Sequence, residues 1–124
     1  MAESIMLDRA KDFAVEIVNI CRDIKQKQKE SVLTNQLLRS GTSVGANIHE
    51  SKYAHSKADF AAKMQIALKE CYESEYWLEL LNRTGYLPNE RYAVLQNSCG
   101  AIRRMLISSI RTSKGNAESE ETDL

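Results

Sequence analysis

Proline occurs once and glycine five times in the 124 residues. So few breakers over that length favour long helices. Cysteine occurs three times, at Cys21, Cys71 and Cys99. An odd count with no C-x-x-C pair argues against a disulfide framework and against a zinc site. All three fall on apolar helical stripes, where a free thiol packs as a small hydrophobe, and they are expected to be buried and inert. No apolar run approaches the roughly 18 residues of a membrane span, so no membrane partner is expected. Met1-Ala2-Glu3-Ser4 has no basic segment followed by an apolar one, so no signal peptide is read and the expected compartment is the cytoplasm. An excess of charge of one sign is missing as well: seventeen Lys and Arg face seventeen Asp and Glu. The balance is uneven along the chain. Residues 113–124 carry Glu118, Glu120, Glu121 and Asp123 against Lys114 alone, which leaves residues 1–112 at +3. The length suits one domain. Residues 1–112 are read as that domain, a mildly basic one. Residues 113–124 are read as an acidic tail without periodic apolar residues, expected to be disordered.

What the chain does contain is helical periodicity. Leu7, Ala10, Ala14, Ile17, Cys21 and Ile24 step by three and four over a first helix from about Ser4 to Lys27. The polar segment 26–30 reads as a connection. A second helix starts near Ser31, a candidate N-cap, and reaches about Tyr53 with an apolar line of Leu33, Leu37, Gly41, Val44 and Ile48. A third opens at Ser56-Lys57-Ala58-Asp59, a capping box of S-x-x-D form. Its core stripe is Phe60, Met64, Ala67, Leu68, Cys71, Leu78 and Leu81. Gly85 suits the left-handed position that ends it, with Pro88 soon after. In the fourth helix Tyr92, Leu95, Cys99, Ile102 and Leu106 step by three, four, three and four, and fraying is expected after Ile110. Short connections set sequential helices antiparallel. The expected fold is all-α, an antiparallel up-down-up-down four-helix bundle.

The second helix is rich in Ser, Gly, Thr and Asn, poor helix formers that a surface helix would gain nothing from. Pressed against neighbours, Ser40, Gly41, Gly45 and Ala46 would allow close approach. Gly41-Thr42-Ser43-Val44-Gly45 is one residue short of a phosphate loop and lacks the following Lys-Ser/Thr and the preceding strand. His49-Glu50 begins like H-E-x-x-H, but residue 53 is Tyr, and no Glu-x-x-His pair exists for a di-metal bundle. No metal and no cofactor are expected, and no catalytic nucleophile is found. Arg39, Ser43, Asn47 and Glu50 read as a structural polar network, with Lys63 a further candidate partner, because buried amides and carboxylates must be paired. Two groups of basic residues stand out: Arg22, Lys25 and Lys29 near the end of the first helix, and Arg103, Arg104 and Arg111 on the fourth. Repeated around an oligomer, they would make a field for phosphate backbones. Ile66, Tyr76, Trp77 and Leu80 form a second apolar patch on the third helix, read as a subunit interface.

Gln36-Leu37-Leu38-Arg39-Ser40-Gly41-Thr42-Ser43-Val44-Gly45-Ala46-Asn47-Ile48-His49-Glu50 resembles the Q-L-x-R-(S/A)-x-x-S-(I/V)-x-A-N-I-x-E signature of a four-helix-bundle family. That family includes the 23S rRNA intervening-sequence proteins and the accessory variability-determinant proteins of diversity-generating retroelements. Ser56-Lys57-Ala58-Asp59-Phe60, Ile66-Ala67-Leu68-Lys69-Glu70, and Glu73 through Leu81 with Gly85-Tyr86-Leu87 resemble its third helix and the turn after it. The resemblance covers about residues 4–112. It implies a homopentamer with a role in binding structured RNA or a nucleoprotein, and it brings no catalytic residues. The function expected is that of a non-enzymatic accessory protein, with a protein-interaction scaffold as the alternative.

Overall fold

The periodic stripes become four helices: α1 (Ala2–Gln28), α2 (Val32–Ser51), α3 (Lys57–Arg83) and α4 (Asn89–Thr122). A computed structural model describes the backbone of residues 2–122 and the side chains of residues 4–115. The helices form the expected antiparallel up-down-up-down bundle. α1 packs on α2 and α4, and α3 packs on α2 and α4, while the diagonal pairs stay apart. α2 and α3 share the largest interface and α1 and α4 the smallest. Phe13, Ile17, Ile24, Leu37, Ile48, Met64, Leu78, Leu81, Leu95 and Ile102 are almost wholly withdrawn from solvent and make one continuous core.

The helix ends follow local chemistry. Ser56 Oγ accepts from the Asp59 N–H at 3.0 Å, as the capping box requires. Asp59 reaches back one residue further than expected and accepts from the His55 N–H at 3.2 Å. Gly85 has φ +87°, with Tyr86 N–H donating to Leu81 O at 2.9 Å and Gly85 N–H to Asn82 O at 3.1 Å. That is the glycine-terminated helix end the sequence anticipates. The N-terminus of α2 differs from expectation. Ser31 makes no side-chain cap. Glu30 does the work: its two carboxylate oxygens accept from Leu33 N–H at 2.7 Å and Thr34 N–H at 2.9 Å. A longer side chain one residue earlier reaches donors that Ser31, with φ −132° and ψ −17°, does not engage. Ile110 is the last core residue of α4. The helix nevertheless runs on to Thr122 instead of ending near Ile110. The side chains of residues 116–124, which carry all four acids of the tail, lie outside the described residues.

α2 uses its small residues on two sides. Gly41 lies against Ile17 and Gly45 against Ala10, which lets α1 come close. On the other side Ser74 Oγ of α3 donates to Ser40 Oγ at 3.0 Å, and Ser40 Oγ donates to Leu37 O at 3.3 Å, both hydroxyls fully buried. Ala46 does not take part: it is exposed, rotated away from both neighbours.

Candidate nucleic-acid and subunit interfaces

α1 and α3 end at the same pole of the bundle. There Gln28 Nε2 donates to Tyr86 O at 3.0 Å and fastens the end of α1 to the α3–α4 connection. Arg22 is exposed and its guanidinium donates to Asn19 Oδ1 at 3.1 Å. Lys25 is half-buried, and Lys29 is exposed in the turn, with φ +58°. The end of α3 and the start of α4 place exposed Arg83 and Arg91 at this pole as well. Neither stood out in the sequence, because only the packing of the helices puts them at one pole with Arg22, Lys25 and Lys29. Of the acids at this pole, Glu30 is already committed. Burial raises its pKa, but the hydrogen bonds from Leu33 and Thr34 outweigh burial and hold the carboxyl below its ordinary value.

The group on α4 divides. Arg103 is half-buried, its Nε donates to Glu75 Oε1 at 2.8 Å, and its guanidinium lies 5.8 Å from the centre of the Tyr72 ring. The Glu75 bond raises its pKa above the usual arginine value. Arg103 is therefore engaged in joining α4 to α3, and its charge is neutralised there. Arg104 and Arg111 are exposed. One residue of helix turns a side chain by about 100°, which separates the roles of two adjacent arginines.

The polar residues of α2 likewise form two clusters. Arg39 bonds Glu70 Oε2 at 3.3 Å and also Glu73, both on α3. Glu70 is almost buried, its side chain 9% exposed, and a carboxylate there needs that cation. Glu50 pairs with Lys63 at 3.2 Å, as anticipated. Asn47 Nδ2 instead donates within its own helix, to Ser43 O at 2.9 Å and Ser43 Oγ at 3.0 Å. So Arg39 and Glu50 each clamp α2 to α3, and Ser43 and Asn47 pair with each other beside them. Glu70, Glu73 and Ser74 were missed, because partners on another helix leave no trace in the spacing of one.

The third-helix patch is partly exposed. Ile66 is 42% and Tyr76 54% exposed. Trp77 and Leu80 are half-buried, and Trp77 packs against the core. Trp77 Nε1 donates to Glu73 Oε2 at 3.2 Å, and Tyr76 meets it edge-on at 5.0 Å. The three thiols are buried. Burial pushes the Cys21 thiol up to about 11, and its Sγ donates to Thr34 O at 3.4 Å. Cys99 Sγ donates to Cys71 O at 3.4 Å, and its pKa is raised by the Cys71 contact and by burial. Among the described residues no three His, Cys, Asp or Glu side chains gather to hold a metal, and no helix is long and apolar enough to cross a membrane.

Buried polar groups that tie helix to helix around one apolar core define an all-α four-helix bundle. The chain belongs to the 23S rRNA-intervening sequence protein family, which matches residues 2–108. It is also similar to a protein of unknown function from the S23 ribosomal protein family of Bacteroides thetaiotaomicron VPI-5482, whose crystal structure superposes with a TM-score of 0.88. The two are 49% identical over 90% of this chain and 99% of the other. No curated protein matches the chain.

Proposed function

We propose that this chain is a non-enzymatic, homo-oligomeric accessory protein of the cytoplasm that binds structured RNA or a nucleoprotein. The observation that carries the nucleic-acid reading is that Arg22, Lys25, Lys29, Arg83 and Arg91 lie toward one pole, where α1 and α3 end and α4 begins. Repetition of that pole around an assembly multiplies a modest local charge into a field suited to phosphates. The exposed patch of Ile66 and Tyr76 supports assembly, and the family resemblance suggests five copies. Arg104 and Arg111 are a second set of phosphate contacts.

A folded RNA titrated at about 50 and about 200 mM salt tests the reading. Affinity should fall with salt, and Lys25→Glu with Lys29→Glu should weaken binding and flatten that dependence. No binding at low salt, or binding indifferent to salt, overturns it. The balanced total charge favours the alternative, a protein-interaction scaffold. A partner protein recovered after nuclease treatment, from a chain that does not bind RNA, would establish that instead.

A further inference from the structure

Gly100 lies inside α4, where glycine is a poor helix former. Gly41 and Gly45 let α1 come close, but Gly100 has no such neighbour. Among the described residues, no atom of another helix comes within 4 Å of where its Cβ would stand. That Cβ would meet two side chains of its own helix, Arg104 Nη1 at 3.3 Å and Arg103 Nη2 at 3.5 Å. Helical Cα–Cβ bonds tilt toward the N-terminus, so residues three and four ahead reach back over one spot. With no side chain in the way, both guanidinium groups lie down against bare backbone. The glycine thereby brings two like charges toward a single point.

Both groups keep donors to offer. The Glu75 bond uses Nε of Arg103, which fixes the plane of that fork and leaves its Nη N–H groups to other acceptors. Glu75 balances the charge of Arg103, so Arg104 supplies the excess. Arg104 is exposed and has no ion pair among the described residues. Between Glu90 and Glu118 the α4 sequence contains no Asp or Glu, so no acid of its own helix offsets it. Converging arginine forks suit the oxygens of a phosphate. Beside them on α3 stands Tyr72, 51% exposed, with the Arg103 guanidinium over its ring at 5.8 Å. An open aromatic ring next to phosphate donors suits an unpaired nucleotide, base on ring and phosphate on cation. A base within a duplex cannot use the ring, because its faces are already stacked.

We infer that Tyr72, Arg103 and Arg104 form a subsite for one unpaired nucleotide of RNA, its base on Tyr72 and its phosphate over Gly100. This rests on the RNA-binding reading and deepens it. The basic pole draws RNA in by its phosphates, and the α3/α4 face selects RNA that has an unpaired base.

The full chain is titrated by fluorescence anisotropy with an RNA hairpin that has an unpaired loop, and with the blunt duplex of the same stem. Wild type should bind the hairpin about tenfold more tightly than the duplex. Tyr72→Ala should abolish that preference and leave duplex binding as it was, while Tyr72→Phe keeps the preference. Gly100→Ala separates binding from folding. Alanine favours the helix, so the urea midpoint should rise. Its Cβ displaces both Nη groups, so hairpin affinity should nevertheless fall several-fold. A nucleoside monophosphate should displace the hairpin at lower concentration than inorganic phosphate does. Equal potency of the two would show an anion site without the ring and overturn the nucleotide subsite. Hairpin and duplex bound alike by wild type, or a preference that survives Tyr72→Ala or Gly100→Ala, overturns the subsite and leaves the basic-pole reading standing. Absence of all RNA binding at low salt removes both together.

Discussion

The two glycines of α2 that face α1 should respond to alanine with opposite signs. Replacing a helix-interior glycine by alanine gains about 0.8–1.0 kcal/mol of backbone propensity at either position. At Gly45 the new Cβ would lie 3.5 Å from Ala10 Cβ and 3.6 Å from the Ala10 carbonyl, ordinary contact distances. The propensity gain should survive, so Gly45→Ala stabilises by about 1 kcal/mol. At Gly41 the new Cβ would lie 2.9 Å from Ile17 Cγ2 and 3.0 Å from Cγ1. Ile17 is wholly buried and β-branched, so it cannot rotate clear. α1 must shift instead, at about 1–3 kcal/mol for overpacking, which exceeds the propensity gain. Gly41→Ala should therefore destabilise by about 1 kcal/mol, leaving about 2 kcal/mol between the variants. Urea unfolding at one fixed protein concentration measures this, since assembly would shift the midpoint with concentration. Ile17→Leu moves the branch off Cβ, so in that background Gly41→Ala should lose most of its cost. Equal signs for the two alanines, or no relief from Ile17→Leu, would refute the packing argument.

Glu30→Gln should lower stability at pH 7 by about 1 kcal/mol through a weakened N-terminal cap. Because the Glu30 pKa is lower folded than unfolded, its contribution is present above the unfolded value of about 4.3 and fades as pH falls through the folded pKa. Denaturation of Glu30→Gln and wild type across pH 7 to 3 should show the two curves converging in acid, and a gap that widens there would contradict the assignment. Arg39→Ala strands the Glu70 carboxylate and should cost about 1–2 kcal/mol, a figure kept small because Arg39 is half exposed and screened. Adding Glu70→Gln should recover part of that loss in the same unfolding assay, whereas a further loss would show that Glu70 needs no cation.

The bundle is legible in the sequence because its causes are local. Steps of three and four place Leu95, Cys99, Ile102 and Leu106 on one face, and all four enter the core. Gly85 and the Ser56 cap depend only on residues within one turn. Interactions between elements are another matter. The partner of Arg39 is set by the register of α2 against α3, which neither helix encodes alone. Arg103 and Arg104 look equivalent in the chain, yet one faces Glu75 and the other solvent. Arg83 and Arg91 join the basic pole because α3 ends and α4 begins there, beside the end of α1. Ser31 lost its expected role to Glu30 for a related reason: reach and turn geometry, not residue preference, decide which oxygen meets the free N–H groups.

The composition of α2 is only partly explained by the fold of one copy. Gly41 and Gly45 are repaid by the approach of α1, and Ser40 by its bond with Ser74. Those are the positions where poor helix propensity has a packing return. Ser43 and Asn47 have no such return: they are half-exposed, they bond chiefly to each other along their own helix, and exposed Ala46 offers neither charge nor bulk beside them. They line the same side of the molecule as Ile66 and Trp77, where Arg39 and Lys63 already cross from helix to helix. A helix face meant for water alone gains from long charged residues, which carry better propensity and hold solvent. The part of α2 that the packing of one bundle leaves unexplained is thus Ser43 and Asn47, whose side-chain bonds stay within their own helix.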